Sequence, residues 1–326
     1  MKSYTNLSED AFSFNALVGA YERARRGRRY REDVLNFGSC LEEHLLELRD
    51  ELQNGRYQHG PYRSFIVHDA KKRHIQAATF RDRIVHQAVN QALEPLFERG
   101  FIKDSYACRK GKGVLAAIKQ FETFSRTGAY VLTADVSKYF ATIDHETLLR
   151  LLSRRISDRQ ILQVCERIIR SIEESPGKGM PIGNLTSQLF ANVYLNELDQ
   201  FIKHTLRLKR YVRYMDDIAI LESDKAVLHS AREQIESFVQ ERLLLELHPR
   251  KVQIAPIATG IDYLGYRIYP HHRMLRKSTV KRFIKRSRRA ERIAGGGHLL
   301  GSDAFVGGLR KTRQKQRITP LARREV

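Results

Sequence analysis

Three carboxylates set at the ends of apolar runs carry the first chemical signal in this sequence. Asp216 and Asp217 stand side by side between Arg210-Tyr211-Val212-Arg213-Tyr214-Met215 and Ile218-Ala219-Ile220-Leu221. Both flanks are rich in β-branched and aromatic residues, so the stretch predicts a β-hairpin with the two acids at its turn, where Asp is well tolerated. An Asp-Asp turn on its own is ordinarily a solvated surface feature. Far upstream, however, Val131-Leu132-Thr133-Ala134 also runs into a carboxylate, Asp135. If the two strands are neighbours, three carboxylates share one place and repel one another unless divalent cations neutralise them. Hard oxygen ligands of this kind suit Mg2+, and two such ions among three carboxylates make a phosphoryl-transfer site.

The elements that must position these groups are legible in outline. From Ser8 to about Asn54 the text is helical, with Phe12, Leu17, Ala20 and Tyr21, then Leu41, Leu45 and Leu48, at helix-like spacing. This reads as a two-helix leader, interrupted by Arg25-Arg26-Gly27-Arg28-Arg29, either a solvated loop or a contact for a nucleic-acid backbone. Gly55 and Gly60-Pro61 then punctuate the chain, Tyr62 to Val67 alternates like a strand, and Lys71-Lys72-Arg73 turns into a second strand. Helices are expected from Asp144 to Ile156 with Asp144 as N-cap, from Ile161 to Ile172, from Leu185 to Phe201 and from Asp224 to Leu243, with a strand following near Val252 to Ile254. Lys277 to Arg292 is a strongly basic helical run, succeeded by Gly295-Gly296-Gly297 and a Gly-, Arg- and Lys-rich stretch from Gly307 to Val326.

Composition narrows the partners. The 326 residues carry 58 Lys and Arg against 37 Asp and Glu, a net charge of +21 that suits a polyanion rather than a neutral metabolite. With neither a long apolar run nor an N-terminal charged-then-apolar signal pattern, a cytoplasmic protein without membrane contact is expected. Cys40, Cys108 and Cys165 are widely spaced, with no Cys-x-x-Cys pair, and read as ordinary reduced thiols.

Tyr214-Met215-Asp216-Asp217, preceded by Asp135 and, five residues on, Phe140, resembles the palm of a reverse transcriptase. Between them, Met180-Pro181-Ile182-Gly183-Asn184-Leu185-Thr186-Ser187-Gln188 resembles the Gly-x-x-x-Ser block of prokaryotic members. Most reverse transcriptases have Gln-Gly-x-x-x-Ser-Pro there, so Ile182 and Gln188 favour the diversity-generating retroelement type. The resemblance runs from about Tyr62 to about Lys281. It implies an α+β right-hand polymerase with an antiparallel palm sheet: a helical leader over 1–60, fingers and palm over 61–258, and a primer-grip hairpin with a short basic thumb or tail over 259–326.

The same resemblance implies roles. Asp135, Asp216 and Asp217, with the Val136 carbonyl, would hold two Mg2+ ions, and Lys251 would stand near the leaving pyrophosphate. Lys72, Arg73 and Arg83 would close on the triphosphate of the incoming nucleotide, since several cationic donors are needed there; Arg83 could instead form an ion pair with Asp82. Phe140 would lie beneath the sugar and exclude a ribose 2'-OH, while Ile182, Gly183 and Gln188 would abut the incoming base and primer-template. Ser105 to Gly113 would be a basic turn near the template, and Tyr263, Leu264, Gly265 and Tyr266 would grip the primer. Implied partners are an RNA template, a DNA or RNA primer, dNTPs and a small basic oligomeric accessory protein, with template-repeat RNA copied under adenine-directed mutagenesis. A retron, group II intron-like or defence-associated reverse transcriptase is the alternative, the missing maturase and endonuclease regions weighing against the intron form. A non-catalytic RNA-binding protein on a polymerase scaffold is a more distant one.

Overall fold

The computed structural model describes residues 3–68 and 72–293. The leader folds as four helices rather than two: α1 (Leu7–Ala11), α2 (Phe14–Ala24), α3 (Glu32–Ser39) and α4 (Leu41–Gln53). Ser13 starts α2 by accepting from the Ala16 amide. In the basic interruption, Arg25 pairs with Glu22 and stacks over Tyr21. Phe12, Leu17, Leu45 and Leu48 are wholly buried in a core continuous with that of the palm, so the leader is packed into the body of the protein.

A hairpin of β1 (Arg63–His68) and β2 (Lys72–Ala77) follows, then α5 (Phe80–Glu98), which is capped by Thr79 accepting from the Asp82 amide. The apolar face of α5, with Ile84, Val85, Val89 and Leu93, is buried against α2 and, later in the chain, the helix over Leu185–Gln200. Next come α6 (Val114–Ser125), β3 (Tyr130–Asp135), the single turn α7 (Tyr139–Thr142), α8 (His145–Ser153) and α9 (Arg159–Ile169). Asp144 and Asp158 cap α8 and α9 through their carboxylates. Helix α10 (Leu185–Gln200) runs on as a π turn over Phe201–Thr205. Strands β4 (Tyr211–Tyr214) and β5 (Asp217–Glu222) lead to α11 (Lys225–Leu243), capped by Asp224, and then to β6 (Gln253–Pro256).

The four palm strands form an antiparallel sheet in the order β4-β5-β3-β6. Alternation along the strands sends Leu132, Ala134, Ile218, Ile220 and Tyr211 into the core shared with α10 and α11, and sends Val131, Val212, Ala219 and Leu221 to the other face against Ile118 and Phe121 of α6. Both faces are therefore dry near the sheet centre, each fully buried aliphatic side chain contributing about 1.5–3 kcal/mol. A second small sheet, β7 (Ile261–Tyr263), β8 (Tyr266–Ile268) and β9 (Arg273–Leu275), packs on this second face through Ile261, Tyr263 and Ile268. Its first turn places Leu264 and Gly265 at φ 45° and 86°, the left-handed pair that a two-residue hairpin requires. The described residues up to Leu275 form one compact unit; α12 (Lys277–Ile293), rich in Lys and Arg, belongs to a second. Residues 295–297 and 307–326, and Lys71 in the fingers turn, lie outside the described residues.

Candidate active site

The palm register brings the carboxylates together. Asp135, the last residue of β3, is the direct cross-strand partner of Asp217, the first residue of β5. Period-two alternation places both on the face that carries Val131, Ala219 and Leu221. Tyr214 pairs with the same Asp217 from the other side, so the hairpin turn consists of Met215 and Asp216, and Asp217 already belongs to the strand. Like charges directly opposite one another destabilise a sheet. Part of that cost is offset by Lys251, whose Nζ lies 2.6 Å from Asp135 Oδ2. The chain after α11 brings Lys251 there: His248 donates its amide to the Asp135 carbonyl (2.7 Å), Ser137 to the Glu246 carbonyl (2.8 Å), and Val136 bridges to Leu247. Among the described residues, no three His, Cys, Asp or Glu side chains converge in a group that could hold a metal ion as they stand. The donor set is nonetheless all oxygen and anionic, the chemistry that a hard divalent cation requires.

The turn that carries Asp216 is held by Arg213, which lies just outside the Tyr214-Met215-Asp216-Asp217 motif. Met215 sits at φ 54°, left-handed and costly for a side chain that long. Its carbonyl accepts a 3.0 Å bond from Nη1 of Arg213. Arg213 is wholly buried on the Tyr211 face, forked onto Asp199 of α10 through Nε and Nη2, each at 2.7 Å, with Asn192 and Ser105 taking its remaining donors. Burial alone would lower this guanidinium's pKa, but the Asp199 carboxylate outweighs it and holds it above its ordinary value. Burial, then the same carboxylate, push the Tyr211 phenol up; its hydroxyl donates to Asp199 at 2.6 Å. One signal for this was present in the sequence: Arg213 shares the face of the apolar-flanked Tyr211 in its strand, and a charge on a buried face persists only if paired.

Aromatic side chains surround the carboxylates. Tyr139 is buried and donates to the Ala191 carbonyl at 2.6 Å, its phenol held high by burial. Phe140 is half-buried beside it, ring centroids 5.5 Å apart, and its carbonyl accepts from Met180. Tyr263 is 4% exposed and stacked on Phe121, its hydroxyl buried with no hydrogen-bond partner among the described residues, so it faces the interior rather than a bound strand. Burial and then the charge of Asp217 raise its phenol. Leu264, Gly265 and Tyr266 are half-exposed at the turn.

The fingers residues divide. Lys72 and Arg73 open β2 opposite His68 and Val67. Arg83 donates from Nε to the Ala78 carbonyl; the alternative partner, Asp82, is buried and accepts instead from Tyr57, Gly60 and Thr79. Ile182 is half-buried, and its carbonyl accepts from the Gln76 amide at 3.1 Å, which joins the 182–187 turn to β2. Gly183 is at φ 120°, and a Cβ there would lie 3.1 Å from Ile75 Cγ2, so the turn approaches the fingers as only glycine allows. Gln188, in α10, lines a cavity of about 50 Å³ with Asn90, Glu98, Cys108 and Arg109. Arg109 is turned inward, forked on Glu98 and bonded to the Ile102 and Ser105 carbonyls, so this member of the basic turn braces the loop rather than facing outward.

Residues 67–268 match the family model described as reverse transcriptase (RNA-dependent DNA polymerase). The chain is 29% identical over 266 residues to Protein YkfC of Escherichia coli strain K12, covering 68% of this chain and 70% of that one. It is 24% identical over 319 residues to the group II intron-encoded protein LtrA of Lactococcus lactis subsp. cremoris, covering 76% of this chain and 53% of the relative. Among solved structures it resembles the apo telomerase of Candida tropicalis truncated from the C-terminal domain (TM-score 0.53, 12% identity, 72% of this chain and 60% of that one) and the telomerase of Candida albicans with a telomeric RNA fragment (TM-score 0.51, 12% identity, 68% and 47%). Those structures share the right-hand polymerase fold. No helix among the described residues is long and apolar enough to cross a membrane. With a family model spanning well over half its length and a palm register that pairs Asp135 with Asp217, the chain belongs to the reverse transcriptases, the RNA-directed DNA polymerases.

Proposed function

We propose that this protein extends a DNA or RNA primer with dNTPs on an RNA template, at the end of the palm sheet where Asp135 faces Asp217 and Asp216 occupies the adjoining turn. That register is the observation that carries the reading. Asp135, Asp216 and Asp217, with the carbonyl of Val136, are the groups that would hold two Mg2+ ions, whose chemistry is to acidify the primer 3'-hydroxyl and neutralise charge on the triphosphate. Lys251, beside Asp135, would hydrogen-bond or protonate the leaving phosphate oxygens. Lys72, Arg73 and Arg83 would bind the triphosphate, Phe140 would exclude a ribose 2'-OH, and Leu264, Gly265 and Tyr266 would meet the primer end. The basic α12 would track the backbone of the nascent duplex.

At a finer level, Ile182 and Gln188 favour a diversity-generating retroelement enzyme that copies template-repeat RNA with errors at adenine, in the cytoplasm and with a small basic oligomeric accessory protein. Ile182 supplies no side-chain hydrogen bond where Gln would, and one such bond is worth about 0.5–1.5 kcal/mol, up to roughly tenfold in discrimination. A second reading, an intron-type reverse transcriptase, is favoured by the match to the group II intron-encoded LtrA. Sequencing cDNA made from one defined RNA by wild type and Ile182→Gln separates them. Excess errors opposite template adenine, reduced in the variant, support the first; an error spectrum without adenine bias favours the second.

A further inference from the structure

Beneath the 182–187 turn lies a buried polar chain that none of the chemistry above uses. It begins at Thr186, wholly buried in the first turn of α10, whose Oγ1 is 2.6 Å from His86 Nδ1. Nε2 of His86 is 3.2 Å from His59 Nε2, and His59 Nδ1 is 2.7 Å from the Gly60 carbonyl. The Gly60 amide in turn donates to Asp82 at 3.1 Å, and Asp82 also accepts from Tyr57 and Thr79. Beside this chain, the Tyr62 hydroxyl lies 3.1 Å from His59 Nε2 and 2.8 Å from Ser171 Oγ, and it accepts from Asn184 Nδ2 at 3.2 Å. Asn184 stands at the start of α10 and Ser171 just beyond α9, so the 57–62 linker is bonded to both helices.

The protons can be placed from the partners. A carbonyl only accepts, so His59 Nδ1 carries a hydrogen, and in the tautomer with one ring hydrogen its Nε2 is bare. His86 must then donate from Nε2, which leaves its Nδ1 to accept from Thr186. Ser171 donates to the Ile168 carbonyl at 2.6 Å and therefore accepts from Tyr62. The hydrogens thus run from Thr186 through His86 and His59 to the Gly60 carbonyl, while the single Tyr62 hydrogen goes to Ser171, so its 3.1 Å contact with His59 Nε2 is a packing contact and Tyr62 is tied to α10 through Asn184. The facing titratable groups are Tyr57, Tyr62 and Asp82, whose Oδ2 is 3.9 Å from His59 Nδ1. Burial, then the neighbouring His59, lower His86 to about 3, in keeping with a neutral ring.

We propose that His59, His86 and Tyr62 are positioning residues: they fix the 182–187 turn against the fingers, where Ile182 already bonds to Gln76, and so set the affinity for the incoming nucleotide. This rests on the reading above that the turn abuts the nucleotide. Two near-isosteric variants remove separate ties to α10, Thr186→Val the bond to His86 and Tyr62→Phe the bond from Asn184, while Thr186→Ser keeps the hydroxyl. Primer extension on poly(rA) with oligo(dT) and dTTP should show KM for dTTP raised about three- to tenfold in each, the equivalent of one hydrogen bond, with kcat within about twofold and Thr186→Ser near wild type. Because both variants loosen one unit, the double variant should show less than the product of the two effects. Hydrogen exchange at 182–187, read without any synthesis, should quicken in Thr186→Val and Tyr62→Phe and remain slow in Thr186→Ser. Unchanged exchange there in a folded Tyr62→Phe overturns the proposal, as does a fall in kcat at constant KM or a fully multiplicative double variant. Faster exchange in a chain whose wild type incorporates no dTTP keeps the positioning role and overturns the polymerase reading instead.

Discussion

Replacing Arg213 tests how the catalytic turn is held. Arg213→Met removes a fully buried guanidinium and leaves the Asp199 carboxylate, also 0% exposed, with only the Tyr211 hydroxyl among the bonds described above. An uncompensated buried charge of that kind costs about 3–5 kcal/mol, to be read as a shift in the guanidinium chloride unfolding midpoint. Adding Asp199→Leu deletes the second charge and should recover most of that loss, leaving about 1 kcal/mol for the stranded Tyr211 hydroxyl. The turn is a separate matter. Met215, at φ 54°, keeps no bond from position 213 in either variant, so Asp216 loses its fixed place although the fold returns. A misplacement of about 1 Å at a reacting group costs about 10²-fold in rate. Single-turnover primer extension should therefore remain about 10²-fold down in the stable double variant. Recovery of rate together with stability would refute the anchoring argument, and so would a single variant that loses under about 1 kcal/mol.

Two further outcomes follow from the geometry. Phe140→Ala should admit ribonucleotides, read as a raised ratio of ribo- to deoxynucleotide incorporation in a competition assay; an unchanged ratio would mean that the half-buried ring only packs. His86, held neutral in the folded state with a pKa of about 3 against about 6.5 unfolded, binds a proton only on unfolding between those values. Stability should therefore fall as the pH drops below about 6.5, by about 2 kcal/mol between pH 7 and 5 from this group. His86→Gln should flatten that slope in denaturant titrations, and equal slopes in the two proteins would contradict the buried neutral imidazole.

What could be read in the sequence was what is local. The Asp216-Asp217 hairpin and the Asp144 cap depend on alternation and on a side chain within three residues of its partner, and the structure has both. The leader's division into four helices was hidden because Arg31 and Cys40 start α3 and α4 without a side-chain cap bond. Helix α6 passed unnoticed although its buried face covers the palm sheet. Arg213, Arg109 and Tyr263 were misjudged or overlooked for one reason: each is explained by a partner distant in sequence. Asp199 lies across the π turn, Glu98 at the end of α5, and Phe121 on a helix 142 residues away from Tyr263. A strand that reads Arg-Tyr-Val-Arg-Tyr gives no sign of which arginine is paired inside: Arg210 meets half-buried Glu222, while Arg213 meets Asp199 in the core.

The proposed role of the three palm carboxylates is to carry RNA-templated DNA synthesis. Its most direct test is the comparison of wild type with Asp216→Asn in Mg2+-dependent extension of a primed RNA, beside salt-dependent binding of the same primer-template. The substitution removes one anionic ligand and leaves the basic surface intact. Extension should vanish, with binding and its salt dependence unchanged; near-normal synthesis by Asp216→Asn would contradict the account.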